Sequence, residues 1–175
     1  MHLFIHRPKA EVMKPLERLP VWVVVKLCTD EDKIVQYWNE IDDQLELDID
    51  VLDDLCSEAA EIHGKNPWLT YGEPLHRLRE FGLPIKEIDL LDEQALSAEQ
   101  MRVVVAAILG GRPDDYPHPS IDFPAFRLAV DAALRGTPST WCPFNKTAKP
   151  WINSSQLSTK YNSDNSESGA GCLVA

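Results

Sequence analysis

The sequence is poor in basic residues. Its 17 Lys and Arg stand against 28 Asp and Glu, which gives a formal net charge of -11 and a pI near 4.8. Binding to DNA, RNA or an anionic membrane surface needs clustered Lys and Arg, so we expect no nucleic-acid partner. Cysteine is also scarce, and the four residues are too scattered for a disulfide scaffold or a paired zinc site: Cys28, Cys56, Cys142 and Cys172.

Long apolar runs are missing as well. The longest, Val21–Val25 and Val103–Leu109, fall far short of the roughly 20 residues that span a bilayer. Met1–Ala10 carries charged residues and a Pro where a signal peptide needs an apolar run. We therefore expect a chain that stays in the cytoplasm with reduced thiols and crosses no membrane.

No complete catalytic or cofactor-binding motif is present, so we expect neither an enzyme nor a cofactor. Cys28 is the best enzymatic candidate, because it follows a predicted central strand and precedes a helix that would lower a thiol pKa. A Gly-rich turn, the Arg of a phosphate-binding loop and a recognisable base are all missing, which favours an inert buried Cys28.

An acidic cluster is the alternative candidate for chemistry. Clustered carboxylates bind Ca²⁺ or Mg²⁺, but the Gly and closing Glu of an EF-hand loop are not in register here, and a solvated sheet face is the simpler interpretation. The alternative function to be tested is thus a hydrolase that uses Cys28 or a cation held by this cluster. Its members are Asp42, Asp43, Glu46, Asp48, Asp50, Asp53 and Asp54.

Strand and helix patterns alternate in the first third of the chain. Leu19–Leu27 is short, β-branched and continuously apolar, which predicts a strand buried on both faces, and Leu45–Leu52 alternates as a second strand. A helix containing Ile34 and Ile41 separates them, and a second helix is expected to end at Gly64. This predicts an α/β fold with a small, partly parallel βαβ sheet.

The remainder of the chain predicts helices followed by a tail. Ser97 to Gln100 forms a capping box for one helix, and Asp122 caps another. After Trp151 the composition becomes Ser- and Asn-rich, which predicts flexibility. We expect an α/β unit over residues 1–64, a helical extension over 65–152 and a flexible tail over 153–175.

The run from Leu19 to Asp32, the helix after it and the strand that ends near Asp54 resemble the later elements of von Willebrand factor A-type domains. The resemblance covers only about residues 8–64, and the metal motif Asp-x-Ser-x-Ser of that family does not occur in the chain. It implies the C-terminal part of such a domain, or a copy without a metal site, and hence no metal ligands. An apolar strand with too few neighbours further implies that another protein, or a missing N-terminal segment, covers the sheet edge.

Two segments near the C-terminus predict contacts. Trp141, Phe144 and Trp151 lie in an aromatic stretch that is either a docking segment or a strap over the core, and the strap is favoured. Cys172-Leu-Val-Ala175 fits a C-a-a-X box, which predicts prenylation of Cys172 in a eukaryotic host and contact with the cytoplasmic face of a membrane, unless the match is accidental. The function expected is a non-catalytic protein-interaction module.

Overall fold

The computed structural model describes residues 13–21, 23–29, 31–42, 44, 49–82 and 85–162. Their contacts divide them into two compact units: the described parts of Met1–Asp54 with His76–Pro84, and of Leu55–Leu75 with Ile85–Ala175. The chain is mixed α/β, as predicted. Its elements are, in order, a 3-10 helix Lys14–Arg18, β1 Val23–Lys26, α1 Asp32–Asp42, β2 Ile49–Leu52, α2 Leu55–Lys65, α3 Glu73–Glu80, α4 Lys86–Asp89, α5 Ala98–Leu109, a 3-10 helix Pro113–Asp115, α6 Phe123–Leu134, β3 Thr140–Cys142, β4 Thr147–Lys149 and α7 Ser154–Tyr161.

The first unit contains the predicted parallel sheet. β1 pairs with β2 so that Val23 lies opposite Ile49 and Val25 opposite Val51. Residues two apart share a sheet face, so these four side chains lie on one side. They form a small core with the 3-10 helix and the apolar face of α1, through Met13, Leu16, Tyr37, Trp38 and Ile41. The βαβ interpretation of this segment is confirmed.

Lys26 links β1 to α3. Its ammonium group donates a short hydrogen bond to Glu80 at the end of that helix. Among the described residues β1 pairs with β2 alone, and its three valines are only half-buried, contrary to the predicted strand buried on both faces. The apolar sequence of β1 predicted that other elements would cover both of its faces. In the described part of the chain these faces are covered only in part. Residues 45–48 of the predicted second strand lie outside the described residues.

The second unit is mainly helical, and its helix starts follow the sequence signals. The Ser97 hydroxyl accepts from the Gln100 N–H while the Gln100 side chain accepts from the Ser97 N–H, so the predicted capping box opens α5. Asp122 likewise accepts from the Ala125 N–H at the start of α6. The core of this unit is formed by fully buried side chains that include Trp68, Met101, Val104, Phe126 and Leu157.

Helix α2 belongs to the second unit, whereas we predicted it to close the first. Its last residue, Lys65, donates to the Glu93 carbonyl at 2.7 Å. The buried Asn66 that follows donates to the carbonyls of Leu91 and Gln94 and accepts from the Leu96 N–H. These bonds fix α2 to the loop before α5. The prediction that Gly64 ends the helix is also wrong, because α2 continues to Lys65 and Gly64 has no positive φ.

The predicted tail begins too early. Residues 154–161 form α7, which is capped by the Asn153 side chain. Leu157 and Tyr161 lie one helical turn apart and are both buried, and the Tyr161 hydroxyl donates to the Leu96 carbonyl at 2.9 Å. Burial of Leu157 and Tyr161, together with the Asn153 cap, therefore stabilises a helix in a segment whose polar composition predicted flexibility. Residues 163–175, the rest of the predicted tail, lie outside the described residues.

None of the helices within the described ranges is long and apolar enough to cross a bilayer.

Candidate interaction surface

The aromatic stretch of the sequence forms a β-hairpin. β3 and β4 pair antiparallel, with Thr140 opposite Lys149, Trp141 opposite Ala148 and Cys142 opposite Thr147. Alternation along β3 directs Thr140 and Cys142 inward, where both are buried, and leaves the Trp141 side chain 58% exposed on the outer face. The small Ala148 opposite it leaves the indole uncovered.

The turn of the hairpin is held by its own polar groups. The Asn145 N–H lies 3.5 Å from the Cys142 sulfur, and the Asn145 amide oxygen accepts a short hydrogen bond from Lys149. Lys146 completes the turn with φ of 55°, in the left-handed region that non-glycine residues seldom adopt. The hairpin thus has a defined shape.

The hairpin is also fixed from below. A Cβ atom on Gly72 would lie 2.6 Å from the Thr140 hydroxyl and 2.8 Å from the Trp141 carbonyl oxygen, so the backbone there approaches β3 closely. Beyond β4, Thr70 donates its N–H to the Trp151 carbonyl and its hydroxyl to the Pro150 carbonyl. Both strands of the hairpin are therefore tied to the segment around Thr70.

Phe144 provides a second exposed aromatic group. Its ring centroid lies 4.6 Å from that of His63 on α2, with the two planes tilted by 33°. This contact covers part of the ring and leaves Phe144 45% exposed. We call Trp141 and Phe144 together the hairpin surface. An exposed Trp beside an exposed Phe on a braced backbone is a typical composition for a protein-binding site.

Trp151 differs from the other two aromatic candidates. It is half-buried, and its carbonyl is part of the backbone pairing with Thr70. The docking and strap interpretations therefore apply to different residues of the same stretch. Thr140, Cys142 and Trp151 hold it against its unit, whereas Trp141 and Phe144 project outward.

Two of the candidates for chemistry lie at the carboxyl edge of the parallel sheet, where Cys28 follows β1 and the described part of the acidic cluster follows β2. Cys28 lies two residues after the end of β1 and is exposed, contrary to the expected buried thiol. Of the acidic cluster, Asp53 and Asp54 are described with their side chains, and the Asp53 carboxylate accepts from the Asp54 N–H. Within the described ranges no three His, Cys, Asp or Glu side chains come close enough to hold a metal ion. Cys172 lies outside the described residues.

Charged side chains cluster around Glu80 at the end of α3 in the first unit. The Glu80 carboxylate accepts a short hydrogen bond from the Lys26 ammonium group and another, at 2.9 Å, from the Arg77 guanidinium group. The hydrogen bond from Lys26 holds the pKa of Glu80 below its usual range. Burial lowers the pKa of His76, whose Nε2 lies 3.6 Å from Glu80, and the Glu80 charge opposes that shift. His76 and Glu80 thus lie one turn apart on α3, and Glu80 is the residue that receives the hydrogen bond from Lys26 of β1.

The sequence analysis missed Gly72, which lies against β3, and Asn66, which fixes α2, the helix whose His63 contacts Phe144. Both act through contacts with residues distant in the chain, and neither belongs to a local motif. Comparison of the chain with protein-family models, with curated proteins and with solved structures gives no match.

Proposed function

We propose that this chain is a non-catalytic protein-interaction module that binds another protein through the hairpin surface. The exposed Trp141 on a braced hairpin is the observation that carries the proposal. The parallel β1–α1–β2 unit supports, as part of the same proposal, a likeness to a portion of a von Willebrand A-type domain.

The energetics favour binding at this surface. Covering the exposed part of the Trp141 side chain would bury on the order of 100–150 Å² and stabilise a complex by roughly 2.5–4 kcal/mol. The backbone beneath the indole is already fixed by the strand pairing and by Gly72. Little ordering entropy is lost when a partner docks, which is the advantage of a preorganised anchor.

A matched pair of variants tests the proposal. Trp141→Ala removes the anchor, whereas Leu128→Ala removes a 70% exposed side chain on α6 of the same unit. Quantitative affinity purification from the host should lose specific partners with Trp141→Ala by about tenfold or more and retain them with Leu128→Ala. Partner recovery that is equal for the two variants would remove the hairpin surface from the proposal.

Membrane attachment is a separate part of the proposal. Prenylation of Cys172 would add an apolar chain that contributes about 0.8 kcal/mol per buried methylene, and a single such chain gives weak, reversible attachment. Intact mass after expression in a eukaryotic host should show the added prenyl group, and Cys172→Ser should lack it. An unmodified wild-type mass would exclude this part and leave the hairpin surface unaffected.

The exposure of Cys28 at the carboxyl end of a parallel strand favours a hydrolase as the second candidate function. Cys56 is also exposed and gives an internal reference for thiol labelling. The interaction module predicts similar labelling rates for Cys28 and Cys56. Selectively fast labelling of Cys28, together with ester hydrolysis that Cys28→Ser abolishes, would establish the hydrolase instead.

A further inference from the structure

A groove of about 510 Å³ opens on the second unit beside the hairpin. It is formed by the end of α6, the base of the hairpin and the start of α7. Two basic side chains line it, Arg135 from the end of α6 and Lys149 from β4. Ser139 and Ser155 line it as well and bring hydroxyl groups that can donate hydrogen bonds.

The charge of this part of the chain is opposite to the charge of the remainder. Residues 132–163 contain no Asp or Glu and four basic residues, Arg135, Lys146, Lys149 and Lys160. This stretch carries +4, so the rest of the chain carries -15 of the total of -11. The groove lining itself has two cations, Arg135 and Lys149, and one carboxylate, Asp131. Its excess of positive charge on an acidic protein favours an acidic ligand.

The one carboxylate in the lining is already engaged. Asp131 accepts a short hydrogen bond from the Ser154 hydroxyl, and its other oxygen lies 3.6 Å from Nε of Arg127, which is outside the groove lining. Asp131 therefore has its own partners, Ser154 and Arg127, and is not paired with Arg135 or Lys149. The two groove cations retain their charge for a ligand.

Neither groove cation has an acidic partner in the described part of the chain. Arg135 forms no ion pair there, and Lys149 donates to the neutral amide of Asn145. The N-terminus of α7 also opens on the groove, but the Asn153 side chain already accepts from the N–H groups of Ser155 and Gln156. The side chains of Arg135 and Lys149, and not the helix end, supply the attraction for an anion.

We infer that this groove binds the carboxylate side chains of an acidic segment of the partner protein. The inference rests on the proposed function, because it names the chemistry of the partner that the interaction module binds. The planar guanidinium of Arg135 matches a carboxylate with two parallel hydrogen bonds, and Lys149 adds a point charge. A short acidic peptide places a few charges inside the groove, whereas a long polyanion would also meet the repulsion of the negative remainder.

Hexaglutamate, labelled with a fluorophore, is the probe for this site. Its anisotropy with the full chain should show saturable binding that weakens as ionic strength rises from about 0.05 M to about 0.2 M. Arg135→Gln combined with Lys149→Gln should weaken binding by about tenfold or more. Lys146→Gln is the control for each groove charge taken singly, because it removes one charge from the same acid-free stretch but lies outside the groove. It should change affinity by less than about twofold, against about threefold or more for Arg135→Gln alone or Lys149→Gln alone.

The outcomes separate this inference from the proposed function. Loss of binding in the double variant, with Lys146→Gln unchanged, supports the groove whatever Trp141→Ala does to partner recovery. An equal loss in each single groove variant and in Lys146→Gln would reduce the effect to general charge and overturn the inference. No binding of hexaglutamate, or tighter groove-dependent binding of an RNA oligonucleotide, would also overturn it, while partner recovery through Trp141 would still stand.

Discussion

Replacing Gly72 with Ala should destabilise the protein and disturb the hairpin surface. The added methyl group would lie 2.6 Å from the Thr140 hydroxyl and 2.8 Å from the Trp141 carbonyl oxygen, both well inside van der Waals contact. Thr140 is buried and paired with Lys149, so β3 has little room to retreat. Overpacking of this kind costs about 1–3 kcal/mol, against about 0.4–1 kcal/mol gained by restricting the unfolded chain. We expect a net loss of about 1–2 kcal/mol.

Gly64→Ala is the matched control with the opposite sign. Gly64 lies within α2, and no atom lies within 4 Å of a Cβ added there. Ala is favoured over Gly in a helix by about 0.5–1 kcal/mol, and the position one residue before the helix end places the gain at the low end of this range. Urea unfolding followed by tryptophan fluorescence and circular dichroism measures both free energies of unfolding. A Gly72→Ala variant as stable as wild type would refute the close approach of residue 72 to β3.

Three further variants test the rest of the structure. Asn66→Ala should lower the free energy of unfolding by about 2–4 kcal/mol in urea titrations, because it leaves the Leu91 and Gln94 carbonyls and the Leu96 N–H without their partner; an effect below 1 kcal/mol would contradict that clamp. Ser97→Ala should cost about 1 kcal/mol and reduce α5 helicity, while Ser97→Asp, which can still cap, should cost less. His76 has a lowered pKa in the folded chain, so the unfolded chain binds the extra proton below about pH 6.5 and stability should fall as pH drops through that value. His76→Gln should lose less stability than wild type between about pH 7.5 and pH 5.5, and identical pH profiles would show that His76 does not titrate in this way.

Local signals predicted the elements that depend on local chemistry. The capping box at Ser97 and the cap at Asp122 predicted the starts of α5 and α6, because a side-chain hydrogen bond to the first turn needs only nearby residues. The apolar and alternating runs likewise predicted β1 and β2 and their parallel pairing through α1. The periodicity of apolar residues and the helix-capping residues were together sufficient to predict the mixed α/β fold class.

Features that depend on distant contacts escaped prediction. The polar composition after Trp151 predicted a flexible tail where the structure has α7. This helix is stabilised by Leu157 and Tyr161, which are buried in the second unit. Helix α2 belongs to the second unit because Lys65 and Asn66 donate hydrogen bonds to the loop near residue 93. Contacts between residues so far apart in the chain leave no local sequence pattern. The groove had a sequence signal that was overlooked, since the acid-free stretch 132–163 is visible once charge is counted by segment.

Photocrosslinking from position 141 tests the central claim most directly. A photoreactive phenylalanine analogue replaces Trp141 in one variant and Leu128 in the other, and both are irradiated in host cells. Both native side chains are large, apolar and exposed, at 58% and 70%, so chance collisions should label the two positions alike. A protein partner on the hairpin surface predicts a discrete adduct from position 141 that is missing from position 128. Equal adducts from both positions would contradict the assignment of the hairpin surface as the binding site. The absence of an adduct from position 141, in a variant that still recovers its partners in affinity purification, would contradict it as well.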